Sequence, residues 1–199
     1  MSSDMGLAGE VCASHAGVTR DWREKMIAAG IPAISIALGW IGILPCLAEG
    51  NIFQPVERGG TEMVIVPVKH GDTFTPEHKS PEDVLRFGPI ADLVAFDLDH
   101  PMRWYQRTGA ATWLGCIRPQ VFAPDPVHVW RCPLNWLRND SIGLVPLTEN
   151  DREICGLLLG IAQLVAEDSQ HAGRLKKLLE RPFPIPPILI PDPRNERAA

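Results

Sequence analysis

Asp97 and Asp99 stand two residues apart where an apolar run ends, in LVAFDLDHP (residues 93–101). Two carboxylates so spaced at the end of a strand can bind Mg²⁺ while one of them attacks a phosphoryl group. Asp168 and His171, with Glu167 beside them, have the three-residue spacing of a carboxylate-and-histidine metal pair on one helix face. His70, Asp72 and His78 are a further set that a metal ion could gather. Each pattern also has a plainer explanation. The first is a strand running into an acidic turn, with Asp99 capping a helix that Pro101 begins. The second is a solvated bend or a buried Asp–His hydrogen bond, because a di-metal site needs a second such pair and the chain has none. The third is a polar loop.

The acidic motif resembles the first motif of the haloacid dehalogenase-like phosphotransferases, and Ile142–Thr148 resembles the strand ending in Thr that those enzymes place next. The resemblance spans about ten residues. It implies a Mg²⁺-dependent hydrolase or phosphotransferase with Asp97 and Asp99 as its catalytic residues. Here the motif lies mid-chain rather than at the start of the fold, and Pro101 stands where Thr or Val is expected. No nucleophile elbow, glycine-rich phosphate loop or H-E-x-x-H motif occurs.

A different chemistry is suggested by tryptophan beside arginine: Trp22-Arg23, Arg103-Trp104, Trp130-Arg131, and Trp136 with Arg138. Indole faces and guanidinium groups together suit a protein hot spot or stacking on unpaired bases. Between Pro101 and Asn139 five arginines, Arg107 and Arg118 among them, face a single acid, Asp125, a local charge of +4. The segment before it, Glu49–His100, carries ten acids against four bases. The plainer alternative is that each tryptophan anchors the core while its arginine covers it. The chain as a whole has a net charge of −5, which argues against coating nucleic acid by bulk attraction. Arg23–Gly39 has the outline of a helix-turn-helix, but its second helix offers only Ser35 to a base edge. The Arg181, Pro184, Pro187 spacing fits a ligand for an SH3-like groove, although packing within the chain explains it as well.

The elements that must position these groups follow from composition and pattern. With 199 residues, 45% hydrophobic and 22% charged, the chain is long enough for one well-packed domain. Nineteen prolines favour short strands and turns over an all-helical bundle. Thr19 is placed to cap a helix running to about Ala29 and stopped by Gly30. Ala33–Leu44 reads as a strand, or as a short helix followed by a strand. Strands are expected at Glu62–Lys69, at the sheet edge because of Pro67, and at Asp92–Phe96, Val127–Arg131 and Ile142–Leu147. Short helices are expected after Ser80, over Pro101–Thr108 and over Pro133–Arg138.

Thr148–Arg181 predicts one long helix, acidic at its start and basic at its end, with Ile154, Leu157, Ile161, Leu164, Leu175 and Leu178 on one stripe interrupted by Asp168 and His171. The expected fold is therefore α+β: a small mixed sheet of short strands, a long C-terminal helix and an extended proline-rich tail. Residues 1–181 form a single domain, of which 1–17 are disordered or loosely attached, and 182–199 form the tail.

Ile31–Ala48 is apolar enough to consider as a membrane span, but Pro32, Gly39, Gly42 and Pro45 interrupt it, so no span is expected. Five scattered cysteines without a C-x-x-C pair read as reduced thiols, hence a cytoplasmic location. The leading functional expectation is a non-catalytic binding or regulatory protein without cofactor. It engages a protein, or alternatively nucleic acid, through Arg103, Trp104, Arg107, Trp130, Arg131, Trp136 and Arg138. The long helix suggests a homodimer.

Overall fold

The computed structural model describes residues 6–38, 41–69, 90–115, 126–159 and 161–180. Helices and strands are mixed throughout, as an α+β fold requires. In chain order they are α1 (Leu7–Ala16), α2 (Arg20–Ala28), α3 (Ala33–Leu38), β1 (Gly42–Glu49), β2 (Ile52–Pro55), β3 (Thr61–Lys69), β4 (Ile90–Phe96), β5 (Trp104–Gln106), β6 (Trp113–Gly115), β7 (Val127–Val129), α4 (Pro133–Arg138), β8 (Leu144–Pro146), α5 (Asp151–Leu158), β9 (Leu164–Ala166) and α6 (Ser169–Leu179).

The strands form two units. β1–β5 close into a barrel in the order β1-β2-β5-β4-β3. All of its pairings are antiparallel except the single parallel bridge Ile52–Gln106 between β2 and β5. The second sheet has the order β6-β8-β7-β9; β8, β7 and β9 run parallel, and β6 is antiparallel to β8.

Strict alternation along the strands divides the apolar residues among three cores. On β3 and β4, Met63, Ile65, Leu93 and Ala95 point into the barrel with Cys46, Phe53 and Tyr105. Their neighbours Val64, Val66, Val68, Val94 and Phe96 point outward, into a central core shared with Met26, Ile31 and Ile36 of the α2–α3 region and with Leu114 and Val145 of the second sheet. On the far face of that sheet Val127, Val129 and Leu144 pack under α5 and α6. The second sheet is thus buried on both faces, and a one-residue slip of β8 would exchange Leu144 and Val145 between two cores.

Several expectations hold and several are corrected. Thr19 caps α2, accepting the N–H of Trp22 at 3.2 Å. The apolar run after Ile31 is divided into the six-residue α3 and barrel strand β1, and no helix among the described residues is long and apolar enough to cross a membrane. The stretch expected to be loose contains α1, which places Val11 in the barrel core.

The single small sheet is replaced by a closed barrel and a second sheet. Strand β3 is not an edge: it pairs with β1 and β4, and Pro67 is tolerated because the β1 ladder ends at Ile65, short of it. Pro101–Thr108 is not a helix. Two successive turns, His100 N–H to Asp97 C=O and Arg103 N–H to His100 C=O, lead into β5, whose Trp104-Tyr105-Gln106 suits a pleated surface.

The long helix over 148–181 is also overturned. Its apolar stripe belongs to α5, β9 and α6, and these residues fold against one another and the second sheet rather than forming one exposed seam. That removes the surface on which a helix-mediated homodimer was expected. Asp168 interrupts the stripe because it is the N-cap of α6, accepting the His171 N–H at 2.8 Å. The loop with His70, Asp72 and His78, the helix after Ser80, Arg118 and the tail 182–199 lie outside the described residues.

Candidate interaction surface

The segment joining α4 to β8 runs through left-handed backbone that Asp140 and Gly143 tolerate and Ser141 does not favour. Asp140 and Ser141 follow one another at φ 55° and 60°, and Gly143 follows at 93°. Left-handed backbone costs most non-glycine residues roughly 1–2 kcal/mol, less for Asp, so Ser141 needs support from its surroundings. Two indoles supply it. Trp130 donates its Nε1–H to the Ile142 carbonyl at 2.7 Å, and Trp136 donates its own to the Gly143 carbonyl at 3.2 Å. The Ser141 N–H returns to the Trp136 carbonyl at 3.0 Å.

Glycine is required at both close approaches. A Cβ on Gly143 would meet the His128 carbonyl and Trp130 Nε1, and one on Gly115, at φ 101°, would meet the Gly143 carbonyl and Trp136 Nε1. The pinned loop leaves Ile142 56% exposed. Beside it the His128 ring stacks on Trp130, centroids 5.4 Å apart and planes 11° from parallel.

The arginines do not stack on their sequence-adjacent tryptophans. Arg138 reaches back to α2, donating Nε–H to the Ala29 carbonyl at 2.6 Å. Arg131 is committed to carboxylates, with Nη2 at 2.6 Å from Asp168 Oδ1 and Nε at 3.6 Å from Glu167. Arg107 makes a two-pronged, largely buried pair with Glu10 of α1, at 2.9 and 3.0 Å. Trp104 packs on the central core, while Arg103 lies over Tyr105, 5.6 Å from the ring centre. Trp22 is covered by Lys25 at 4.6 Å rather than by Arg23. The seven residues expected to form one surface therefore divide: Arg103, Trp104 and Arg107 belong to the barrel, and Trp130, Arg131, Trp136 and Arg138 to the second sheet and α4.

The carboxylate patterns are engaged in local structure. Asp97 Oδ1 accepts the Asp99 N–H at 3.0 Å and Oδ2 meets His100 Nδ1 at 3.2 Å. The first of these contacts holds its pKa below the ordinary carboxylate value. Asp97 follows a barrel strand and β8 lies in the other sheet, so the two segments that resemble the phosphotransferase motifs are not paired strands of one sheet, although Phe96 and Val145 share the central core. His171 is buried, its Nδ1 accepts the Glu167 N–H at 3.3 Å, and burial lowers its pKa. Glu167 is itself bound by the Arg131 N–H and Asn135 Nδ2 at 2.8 and 2.9 Å. Among the described residues no three histidine, cysteine or acidic side chains come together as a metal site.

Asp92, Glu10 and Ile142 carry no pattern in the sequence that marks their roles. Asp92 is fully buried and its carboxylate gathers the backbone of residues 107–111. Its position at a strand start gave no sign of this. Compared with known protein families, with curated proteins and with solved structures, the chain matches none.

Proposed function

We propose that this is a non-catalytic binding or regulatory protein that engages a protein partner through the loop 139–143, with Ile142 as the apolar anchor and Trp130, Trp136, Arg131 and Arg138 around it. The observation that carries the reading is the indole-pinned, left-handed backbone that holds an aliphatic side chain out in water. Strain maintained by dedicated supports is commonly associated with function, and a rigid apolar anchor loses little entropy on docking. A protein partner is favoured over nucleic acid because Arg107 and Arg131 are already paired with acids and the net charge is −5. The phosphotransferase alternative has less behind it. Asp97 is engaged by its own turn, and no lysine is among the described residues lining the cavity beside it.

The test is affinity enrichment of the full chain from cells that make it, beside Ile142→Asp. The exposed side chain makes that substitution neutral for folding. A docking anchor of 2 kcal/mol or more predicts roughly thirtyfold loss of the specific partners in the variant. An unchanged partner list, or retention abolished by nuclease, would overturn the reading.

A further inference from the structure

The register of the barrel assigns its strand ends to two rims. One rim carries Gly42, Ile90 and Gln106; the other carries Thr61, Phe96 and Trp104. Helix α1 closes the first. Ser14 lies against Gly42 so closely that a Cβ there has no room, His15 Nδ1 is 3.1 Å from the Ile41 carbonyl, and Glu10 holds Arg107 just past β5. No such plug covers the second rim among the described residues. A cavity of about 620 Å³ opens there, with Met63 and Tyr105 of the barrel core as its floor and Asp99, Met102 and Arg103 in its wall. That is the size of a small-molecule site, and the mouth of a barrel is a common place for one.

Two exposed charges at this mouth are left without an ion-pair partner among the described residues. Asp97 is engaged by its turn, but the Asp99 carboxylate makes no ion pair or side-chain hydrogen bond among the described residues. Arg103 likewise has no carboxylate partner there and rests only on the Tyr105 ring. Two opposite charges thus line one cavity without neutralising each other. The rest of the lining is mixed, with Met63, Pro101, Met102 and Tyr105 apolar and Thr61, Asp97 and His100 polar, and methionine adapts to varied shapes. We infer that the barrel mouth binds a small zwitterion with an apolar body, of the α-amino-acid type, its ammonium at Asp99, its carboxylate at Arg103 and its side chain on Met63, Met102 and Tyr105. This site is independent of the loop 139–143.

The experiment is calorimetric titration of the full chain with L-phenylalanine, 2-phenylethylamine and 3-phenylpropionate, the last two lacking one charge each. Saturable binding of L-phenylalanine at least about tenfold tighter than either analogue is expected, since each charge-assisted contact is worth about that factor. Asp99→Asn removes its advantage over 3-phenylpropionate, and Arg103→Gln removes its advantage over 2-phenylethylamine. Both side chains are exposed, and unchanged circular dichroism of the variants confirms that folding is retained. Absence of saturable binding by L-phenylalanine at millimolar concentration overturns the inference. So does an analogue that binds as tightly as the zwitterion, or retention of full affinity in both variants.

Discussion

Asp92→Asn is the substitution whose cost can be worked most fully from the structure. Oδ1 accepts the N–H groups of Leu93, Arg107 and Thr108 at 2.8, 3.1 and 2.9 Å. Oδ2 accepts that of Ala110 at 2.9 Å and, more weakly, those of Ala111 and Gln106 Nε2 at 3.4 Å. Asparagine keeps one oxygen and places an NH₂ where the other stood. The less damaging orientation leaves the oxygen to the three short donors and turns NH₂ toward Ala110, Ala111 and Gln106.

One short hydrogen bond is then lost, although its part-buried donor keeps Thr108 Oγ1 at 3.2 Å, and two long ones become donor against donor. At about 1 kcal/mol for a part-buried donor that keeps a second acceptor, and a similar sum for the long pair, the total is about 2 kcal/mol. With a urea slope of roughly 2 kcal/mol/M, the unfolding midpoint falls by about 1 M. Equilibrium unfolding followed by tryptophan fluorescence and by circular dichroism reads this directly, with the exposed Asp140→Asn as control. A shift below about 0.3 M would refute the claim that Asp92 organises residues 107–111.

Gly143→Ala combines a positive φ with a Cβ directed at the His128 carbonyl, so a loss above about 2 kcal/mol is expected in the same assay, against little for the open Gly156→Ala. Burial holds the His171 pKa below its ordinary 6.5, so the unfolded chain binds the proton first as pH falls. Its contribution to stability is full above about pH 6.5 and is lost as pH drops toward the folded value. His171→Asn, which keeps an acceptor for the Glu167 N–H, should flatten that segment of a stability-against-pH curve. Cys46 is pushed up to about 12, by burial first and by Glu10 next, and Cys132 is raised by burial, while Cys12 is exposed. Iodoacetamide near pH 8 should label Cys12 in the native protein and reach Cys46 and Cys132 only after denaturation, as read by peptide mass mapping.

Local chemistry was legible wherever neighbours in sequence decide it. Thr19 capping α2, the alternation of Val127 and Val129, and the helical turn after Pro133 all depend on contacts within a few residues. The polar break at Asp168 was visible too, but one long helix with a flaw and two helices separated by a strand share the same local pattern. The choice fell to the second sheet, which had an edge at β7 for Leu164–Ala166 to pair with.

The candidate site was visible only in composition. Its tryptophans and arginines stood out by type, whereas their partners are decided by elements far apart in the chain: Arg107 by Glu10, Arg131 by Glu167 and Asp168, and Arg138 by the end of α2. The sequence by itself determined the cap at Thr19, the helical turn at Pro133 and most of the residues that avoid water. Closure of the barrel, the partner of each charge and the exposure of Ile142 were decided by tertiary structure, because a hydrogen bond or ion pair across 97 residues leaves no periodic trace in the chain that makes it.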